Sequence, residues 1–420
     1  MKNQSVLPCL LTLVPLSAHA QAAEPVTVAM HYTEEEAAPL LACFDRYEAA
    51  NPGTEITYQQ ITYGEYLQTV LTARIGGTAP DIYNVYSIWG SQMVDNGVLA
   101  SAPDSVTAYL AEAYLPDTVA AATIDGTVWG IPTEVSAYML VSNMTLLNAA
   151  GFDAPPATWD ELVTMARAMT TRTADGRIDT AGFAFAKSST GAGLVHPFYA
   201  MMASQGVSVY DEGFAAANLD SDAARLVADQ MATLVRDDIT DLSIDAYDFP
   251  AGGVAMMVMA NWYKSAIADG LAGGLDAVKV SAIPAGEDWR TLQYAFYMGV
   301  DSNSDVQDRA WDIVRWTNAP ESAATPGGPS CVGEMMDKLG ALTANRADRT
   351  ALGELDAFSK PFADALQDGR AIGQPNVLQA AEIERSIAAS LERVIAGEAT
   401  ANAALVDLDK KVEAILAEFY

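Results

Sequence analysis

Residues 26–85 decide the fold, and they read VTVAMHYTEEEAAPLLACFDRYEAANPGTEITYQQITYGEYLQTVLTARIGGTAPDIYNV. The stretches 26–30, 55–61 and 81–85 are rich in β-branched and aromatic residues and bounded by turn residues, which predicts three strands. An amphipathic stretch that begins near Pro39 and ends at Asn51 predicts one helix between them, and 66–75 predicts a second. Strands that alternate with helices at this spacing indicate βαβ units and a mainly parallel sheet, so the predicted class is α/β.

The remainder of the chain continues in the same style with more helix. Thr158 and Glu161 form the pattern of a capping box directly before an apolar stripe, which predicts a helix start. Near the C-terminus an amphipathic helix is predicted from apolar residues that recur at helical spacing, namely Ile383, Ile387, Leu391 and Val394.

Composition limits the possible partners. The 420 residues include 23 Lys or Arg and 54 Asp or Glu, which gives a formal net charge of −31. Apolar residues make up 50% and the mean hydropathy is +0.11, so we expect about two or three packed units rather than disorder. Binding to phosphate backbones needs clustered Lys and Arg, so nucleic acid is excluded as a partner, and anionic lipid is disfavoured.

The N-terminus has the layout of a secretory signal peptide. Lys2 precedes the apolar run 6–16, and Ala18-His19-Ala20 supplies small residues at a cleavage site. The run is shorter than the roughly 20 residues that a membrane helix needs. We therefore predict a signal peptide at 1–20 and export to the periplasm.

Two cysteines remain after cleavage, Cys43 and Cys331. In an oxidising compartment they can form a disulfide. Equally, they can be two unpaired buried thiols that pack as small apolar side chains. The sequence leaves both alternatives open.

No motif in the sequence requires catalysis. The histidines His31 and His196 stand far apart, without the spacing of a zinc-binding helix, and no nucleophile elbow or phosphate-binding loop appears. The acidic residues between 237 and 248 lack the glycine of a calcium-binding loop. We therefore expect no catalytic residue, no metal and no cofactor.

A series of motifs resembles the extracellular solute-binding protein family 1, the sugar-binding, maltose-binding-protein-like components of ABC importers. The motifs occur in the family's order and the likeness covers nearly all of 24–420; they are IGGTAPDI at 75–82, VDNGVL at 94–99, IDGTVWGIP at 124–132, NMTLL at 143–147, AGF at 150–152, PATWDEL at 156–162, GVAM at 253–256, LGAL at 339–342 and VIAGE at 394–398. Two positions depart from the family pattern: Ser142 stands where the family prefers tyrosine, and Asn261 replaces the glycine before Trp262.

The resemblance implies a periplasmic binding protein-like fold, with two α/β lobes of mainly parallel sheets joined by a hinge that the chain crosses more than once. The expected lobes are 24–132 plus 290–335 and 133–289 plus 336–420. A monomer of this kind would close around a mono- or oligosaccharide and deliver it to the permease subunits of an ABC transporter in the inner membrane.

A sugar presents apolar CH faces and many hydroxyls, so its site needs aromatic rings and hydrogen-bonding side chains. In α/β clefts such residues follow the carboxyl ends of strands, and the family's cleft tryptophan corresponds to Trp262. Position after a strand, or the resemblance, selects these candidates for ligand binding: Trp262, Trp89, Tyr63, Ser87, Tyr138, Ser136, His31, Tyr32, Asn261 and Asn376. We expect His196 to be a packing residue.

Other functions stay open. The ligand of such a binding protein could instead be a polyol, a glycerol phosphodiester or a polyamine. A secreted glycoside-active hydrolase, which would use a pair of carboxylates, is the alternative from a different class. A receptor that presents its ligand to a chemosensor is a third.

Overall fold

The computed structural model describes residues 24–187, 193–211, 214, 216–285 and 288–420. The predicted signal peptide at 1–20 lies outside the described residues. Within them the strands are β1 Glu24–Met30, β2 Thr54–Gln60, β3 Ile82–Tyr86, β4 Thr123–Ile124, β5 Thr127–Val128, β6 Ile131–Asn143, β7 Thr171–Arg172, β8 Ile178–Thr180, β9 Met256–Ala260, β10 Val278–Ser281, β11 Thr291–Val300, β12 Leu342–Thr343 and β13 Ala371–Gly373.

The helices surround this set of strands. They are α1 Ala38–Ala50, α2 Tyr66–Gly76, α3 Gly90–Asp95, α4 Asp104–Ala113, α5 Pro116–Ala120, α6 Met144–Ala149, α7 Trp159–Met169, α8 Val195–Ser204, α9 Asp222–Arg236, α10 Lys264–Gly270, α11 Gln307–Thr317, α12 Cys331–Leu339, α13 Arg346–Leu352, α14 Lys360–Gln367, α15 Ala380–Ile395 and α16 Ala401–Leu416. Short 3-10 turns at Tyr63–Glu65, Ser87–Trp89 and Asn261–Tyr263 lie between a strand and the helix that follows it, and another at Ala246–Ala251 lies between α9 and β9.

The main sheet combines parallel and antiparallel pairs. Its path runs β10-β6-β11-β3-β1-β2, and β9, β12 and β13 pair at its sides. β1 lies parallel to β2 and β3, which confirms the βαβ arrangement predicted for residues 26–85. β11 is antiparallel to both β3 and β6, and this pairing was not predicted because it joins segments far apart in sequence.

The long strand β6 joins the two halves of the sheet. Its 13 residues are all buried. The first part pairs with β11 and β12, and the part from Tyr138 onward pairs with β9 and β10. Residues 134–138 of β6 therefore lie where the two halves meet.

Local sequence signals predicted the helix starts correctly. α1 begins at Ala38 with a proline in its first turn. α7 begins with the predicted capping box: the Thr158 hydroxyl accepts a hydrogen bond from the Glu161 backbone N–H at 3.2 Å, and the Glu161 carboxylate accepts one from the Thr158 N–H. A cap of this kind is worth about 1 kcal/mol.

A disulfide joins Cys43 of α1 to Cys331 of α12, across 288 positions of sequence. Their Cα atoms lie 6.0 Å apart. Of the two alternatives that the sequence left open, the structure has the disulfide.

The described residues bury three apolar clusters. One packs α1, α4, α11 and α12 against β1 and β3, the largest includes α7, α8, α9, α15 and α16, and the third includes α10, α14 and β9. The half-buried ring of Trp262 packs against all three. In the part of the chain that the structure covers, no helix has both the length and the apolar character needed to cross a membrane.

A close backbone approach makes Gly182 a sensitive position. A methyl group there would lie 1.9 Å from the carbonyl oxygen of Ala166 in α7, a separation that forces the backbone to move. We expect Gly182→Ala to lower the free energy of unfolding by about 1–3 kcal/mol in urea titrations. The matched control is Gly253→Ala, since its nearest neighbouring atom would be 3.8 Å away. Equal unfolding midpoints for the two variants would contradict this.

Candidate functional site

A cavity of about 810 Å³ lies where the two halves of the sheet meet. Ligand sites of drug-sized molecules typically measure about 300–1,000 Å³. Its buried lining consists of aromatic rings and polar side chains from both halves, namely Tyr32, Tyr86, Glu134, Tyr138, His196, Tyr263, Tyr294 and Phe296. Exposed residues at its mouth include Glu35, Asp269, Asp337 and Lys338.

Aromatic rings stack around one side of this cavity. Phe296 of β11 lies at the centre, with the His31 ring stacked on it at 4.6 Å and the Tyr86 ring at 5.0 Å. Tyr294, two residues earlier on the same strand, meets Tyr86 edge-on at 5.6 Å. The rings are fixed by one another, so they present a rigid apolar surface to the cavity.

A second aromatic group contributes to the lining. Trp262 lies in the 3-10 turn after β9, with Tyr263 at 5.4 Å and Tyr247 at 6.3 Å. Because Trp262 is only half-buried, part of its ring remains available to a ligand.

Five of the sequence candidates line the cavity together: His31, Tyr32, Tyr63, Tyr138 and Trp262. His31 and Tyr32 directly follow β1, Tyr63 follows β2, and Trp262 follows β9, as expected for residues at strand ends. Whether each of them contacts ligand stays a prediction.

The other five candidates lie outside the lining and have other contacts. Trp89 is buried and stacks on Tyr66 at 5.2 Å, behind Tyr63. Ser87 is buried at the start of the same 3-10 turn as Trp89. The Asn376 side-chain oxygen accepts a hydrogen bond from the Ser91 N–H at 3.0 Å.

Ser136 and Asn261 support neighbouring residues rather than lining the cavity. The Ser136 hydroxyl donates to Glu134 at 2.8 Å. The Asn261 side-chain oxygen accepts from the Ala137 N–H at 2.9 Å, which ties the end of β9 to β6 next to Tyr138. Asn261, which stands where the sequence pattern described above has a glycine, is fully buried beside the cavity.

Sequence reasoning missed Glu134, Tyr247, Tyr294 and Phe296, and it assigned His196 to packing although His196 lines the cavity. The aromatic residues of β11 look like ordinary strand core. Glu134 had a usable signal: it is the charged residue in the otherwise uncharged stretch 131–143, where burying an ion is costly.

Glu134 is a buried acceptor at the cavity. Its carboxyl accepts hydrogen bonds from the Tyr32 hydroxyl at 2.6 Å and from Ser136. Burial raises the pKa of Glu134 above its ordinary value, and these hydrogen bonds partly oppose the rise. The carboxyl retains further lone pairs, which suit a ligand hydroxyl.

His31 is a neutral donor in the same cavity. The Asn84 side-chain NH₂ donates to His31 Nδ1 at 2.9 Å, so the ring proton is on Nε2. Desolvation lowers the pKa of His31 to about 3, which keeps the ring uncharged at physiological pH.

The pKa of His31 predicts a pH-dependent stability. The pKa of His31 is about 3 in the folded protein and 6.5 in the unfolded chain. Between these values the unfolded chain binds a proton that the folded protein does not, so the free energy of unfolding is highest above pH 6.5 and decreases as the pH falls towards 3. We expect the wild-type protein to lose stability relative to His31→Gln over this range, by up to about 1.4 kcal/mol per pH unit. Urea unfolding of both proteins between pH 7.5 and 4.5 measures the difference. If the unfolding free energies of the two proteins changed with pH in parallel, the lowered pKa of His31 would be contradicted.

The two lysines of the lining are already engaged. Lys264 Nζ lies 2.6 Å from an Asp356 carboxylate oxygen. Lys338 donates to the main-chain oxygen of Glu35. The described lining therefore contains no lysine or arginine that is free of such a contact.

Comparison with known proteins agrees with this architecture. The family model for bacterial extracellular solute-binding proteins matches residues 32–324. Binding proteins of Brucella abortus (strain 2308) and Brucella suis biovar 1 (strain 1330) are each 24% identical over 316 residues, which cover 72% of this chain and 74% of the relative.

Several solved structures share the fold. The GacH receptor of Streptomyces glaucescens GLA.O, solved unliganded and with acarbose, matches with a TM-score of 0.78 at 20% identity and covers 95% of this chain and 100% of its own. A Thermotoga lettingae ABC transporter solute-binding protein bound to α-D-tagatose matches at 0.80 and 17%, covering 94% and 100%. Maltose-bound MalE3 of T. maritima matches at 0.76 and 19%, covering 93% and 99%.

These structures confirm the periplasmic binding protein-like α/β fold. The family match extends over most of the sequence and includes the cavity residues from Tyr32 to Phe296. The chain therefore belongs to the family of bacterial extracellular solute-binding proteins.

Proposed function

We propose that this protein binds a mono- or oligosaccharide in the cavity between the sheet halves and delivers it to the permease subunits of an ABC transporter in the inner membrane. It would do so in the periplasm as a monomer, after removal of residues 1–20, and would catalyse no reaction. The observation that carries the proposal is the alternation of aromatic rings and hydrogen-bonding groups around one cavity of about 810 Å³.

The apolar part of the lining suits the CH faces of a sugar ring. Phe296 and Trp262 offer flat surfaces from different elements, and Tyr63 and Tyr294 add further rings. Rings of this kind bury much area at a small entropic cost because their neighbours already hold them in place.

The polar part suits hydroxyl groups. His31 offers an N–H donor, and Glu134 offers carboxyl lone pairs. A hydroxyl both donates and accepts, so a sugar can satisfy donors and acceptors of the lining at once. The related structures solved with acarbose, maltose and tagatose support a carbohydrate as the class of ligand.

We infer that ligand binding closes two lobes, 24–132 plus 290–335 and 133–289 plus 336–420. The change of partner strands along β6 supports a hinge near residues 134–138. The third expected boundary, between residues 335 and 336, falls inside α12, so a boundary at the end of that helix would keep it whole. Ligand would shift the population towards the closed state.

A polyamine is the second candidate. Glu134 and the acidic residues at the mouth, together with the rings, form surroundings that also favour a cation. A glycerol phosphodiester is a poorer candidate, because anion binding prefers free Arg or Lys and both lysines of the lining already have partners.

Thermal unfolding of the refolded, ligand-stripped protein tests the proposal. The panel contains maltose, maltotriose, other mono- and oligosaccharides, polyols and spermidine. A ligand present at one hundred times its Kd should stabilise the protein by about 2.7 kcal/mol, which raises Tm by several degrees.

The outcomes separate the candidates. A rise with a sugar that is recovered intact after long incubation supports carbohydrate capture. A rise with spermidine alone favours the polyamine, and a sugar recovered in cleaved form favours a hydrolase. No rise with any compound contradicts the proposal.

A further inference from the structure

His196 is held at the cavity by a network that reaches several elements. Its ring, in α8, is buried. Nδ1 lies 2.8 Å from the hydroxyl oxygen of Tyr138 in β6, and Nε2 lies 3.1 Å from that of Tyr86 in β3. Nε2 also lies 3.4 Å from the side-chain nitrogen of Gln374 and 3.5 Å from a carboxylate oxygen of Glu384 in α15.

The partners of this network fix where its protons lie. The Gln374 side-chain NH₂ donates to Glu384, so the amide oxygen of Gln374 accepts the Tyr86 hydroxyl proton. Tyr86 then has only lone pairs left for His196. Tyr86, the group nearest to Nε2 of His196, and Glu384 therefore both favour a proton on that nitrogen. The Gln374 NH₂ group, which would favour a bare nitrogen, lies farther from Nε2 than the Tyr86 hydroxyl and already donates to Glu384.

The consequence reaches the cavity through Tyr138. An imidazole ring that carries its one proton on Nε2 has a bare Nδ1, and in His196 this nitrogen then accepts the hydroxyl proton of Tyr138. The Tyr138 hydroxyl has one proton only. Its oxygen consequently has only lone pairs left to offer, and Tyr138 is one of the residues that line the cavity.

We propose that Glu384 and His196 act as positioning residues that hold the Tyr138 hydroxyl as a hydrogen-bond acceptor, so that the site selects a ligand with a donor group, such as a sugar hydroxyl, at that point. This inference rests on the proposed function for its ligand. A ligand that offers only an acceptor there would leave two buried acceptors facing each other, a mismatch that binding sites reject strongly.

Nitrogen-15 NMR of histidine-labelled protein tests the proton positions without any ligand. The sequence has three histidines, and the predicted leader removes His19, so His31→Gln in the processed protein leaves His196 as the remaining signal. At neutral pH we expect Nε2 to carry the proton and Nδ1 to resonate in the range of unprotonated ring nitrogens. A proton on Nδ1, alone or in addition to Nε2, would overturn the proposal.

The Glu384→Gln variant tests the positioning role. Its amide can offer His196 either an oxygen or an NH₂ group, so we expect the two nitrogen signals to move towards those of a tautomer mixture. The control is Lys411→Gln, which alters the hydrogen bond from Lys411 in α16 to Ser386, a residue of α15 like Glu384. This variant should leave the two nitrogen signals unchanged. If the Glu384→Gln protein is folded by circular dichroism and its signals match the wild type, Glu384 does not position His196. These measurements use no ligand, so they test the tautomer separately from the proposed function. The tautomer assignment can be wrong while the protein binds a sugar, and it can be right while the protein binds none.

Discussion

The Trp262→Ala variant is expected to bind the carbohydrate at least about thirtyfold more weakly than the wild-type protein, which corresponds to a loss of about 2 kcal/mol. Trp262 is half-buried at the point where the three apolar clusters meet, and it lines the cavity. Its packing fixes one part of the ring while another part stays available. The side chain therefore offers a large preorganised contact area, which is typical of residues that dominate binding.

Calorimetric titration of the variant with the best sugar of the panel measures this loss. Trp262→Phe should recover part of the affinity because it retains a flat ring. The matched control is Trp289→Ala: Trp289 is another half-buried tryptophan, which lies under the Arg370 guanidinium at 4.9 Å and does not line the cavity. A folded Trp262→Ala protein with wild-type affinity would contradict the assignment of this cavity.

Removal of the disulfide has the second large expected effect. We expect the Cys43→Ala/Cys331→Ala protein to lose about 2–5 kcal/mol of unfolding free energy. The bond links α1 to α12 across 288 positions, so it restricts the unfolded chain strongly, and both cysteines are buried in the same apolar cluster. The loss of their packing adds to the effect.

Urea unfolding of oxidised, reduced and doubly substituted protein measures the contribution. The reduced wild-type protein should lie between the oxidised protein and the double variant, because it loses the bond but keeps both cysteine side chains in the core. Dithiothreitol should leave the double variant unchanged. Cys331 starts α12, whereas the cavity residues lie at the end of that helix, so we expect sugar affinity to change less than twofold. An oxidised wild type no more stable than the double variant would contradict the prediction.

The fold was predictable from sequence wherever the signals were local. The strands of residues 26–85 and the capping box of α7 depend on neighbours within a few positions, and these predictions were confirmed. The antiparallel pairing of β11 with β3 and β6 depends on segments far apart in sequence. No periodicity within β11 could indicate its partners.

The residues of the candidate site were likewise predictable where the signal was local and unpredictable where it depended on segments far apart in sequence. Three lining residues follow strand ends, namely His31, Tyr32 and Tyr63, so their positions after predicted strands were enough to select them as candidates. Phe296 lies there because the β11 register sets it opposite Tyr86, a relation invisible in sequence. Ser136 shares the face of β6 with Glu134 and Tyr138, but its hydroxyl is used by Glu134, which only side-chain geometry reveals.

Calorimetric titration of the processed, ligand-stripped wild-type protein with the sugar that most raises its Tm tests the central claim most directly. We predict saturable one-to-one binding, recovery of the sugar intact, and loss of the binding in Trp262→Ala. Binding that is unchanged in that variant would place the ligand elsewhere. If no carbohydrate gives a binding isotherm, the claim that this cavity captures a sugar is wrong.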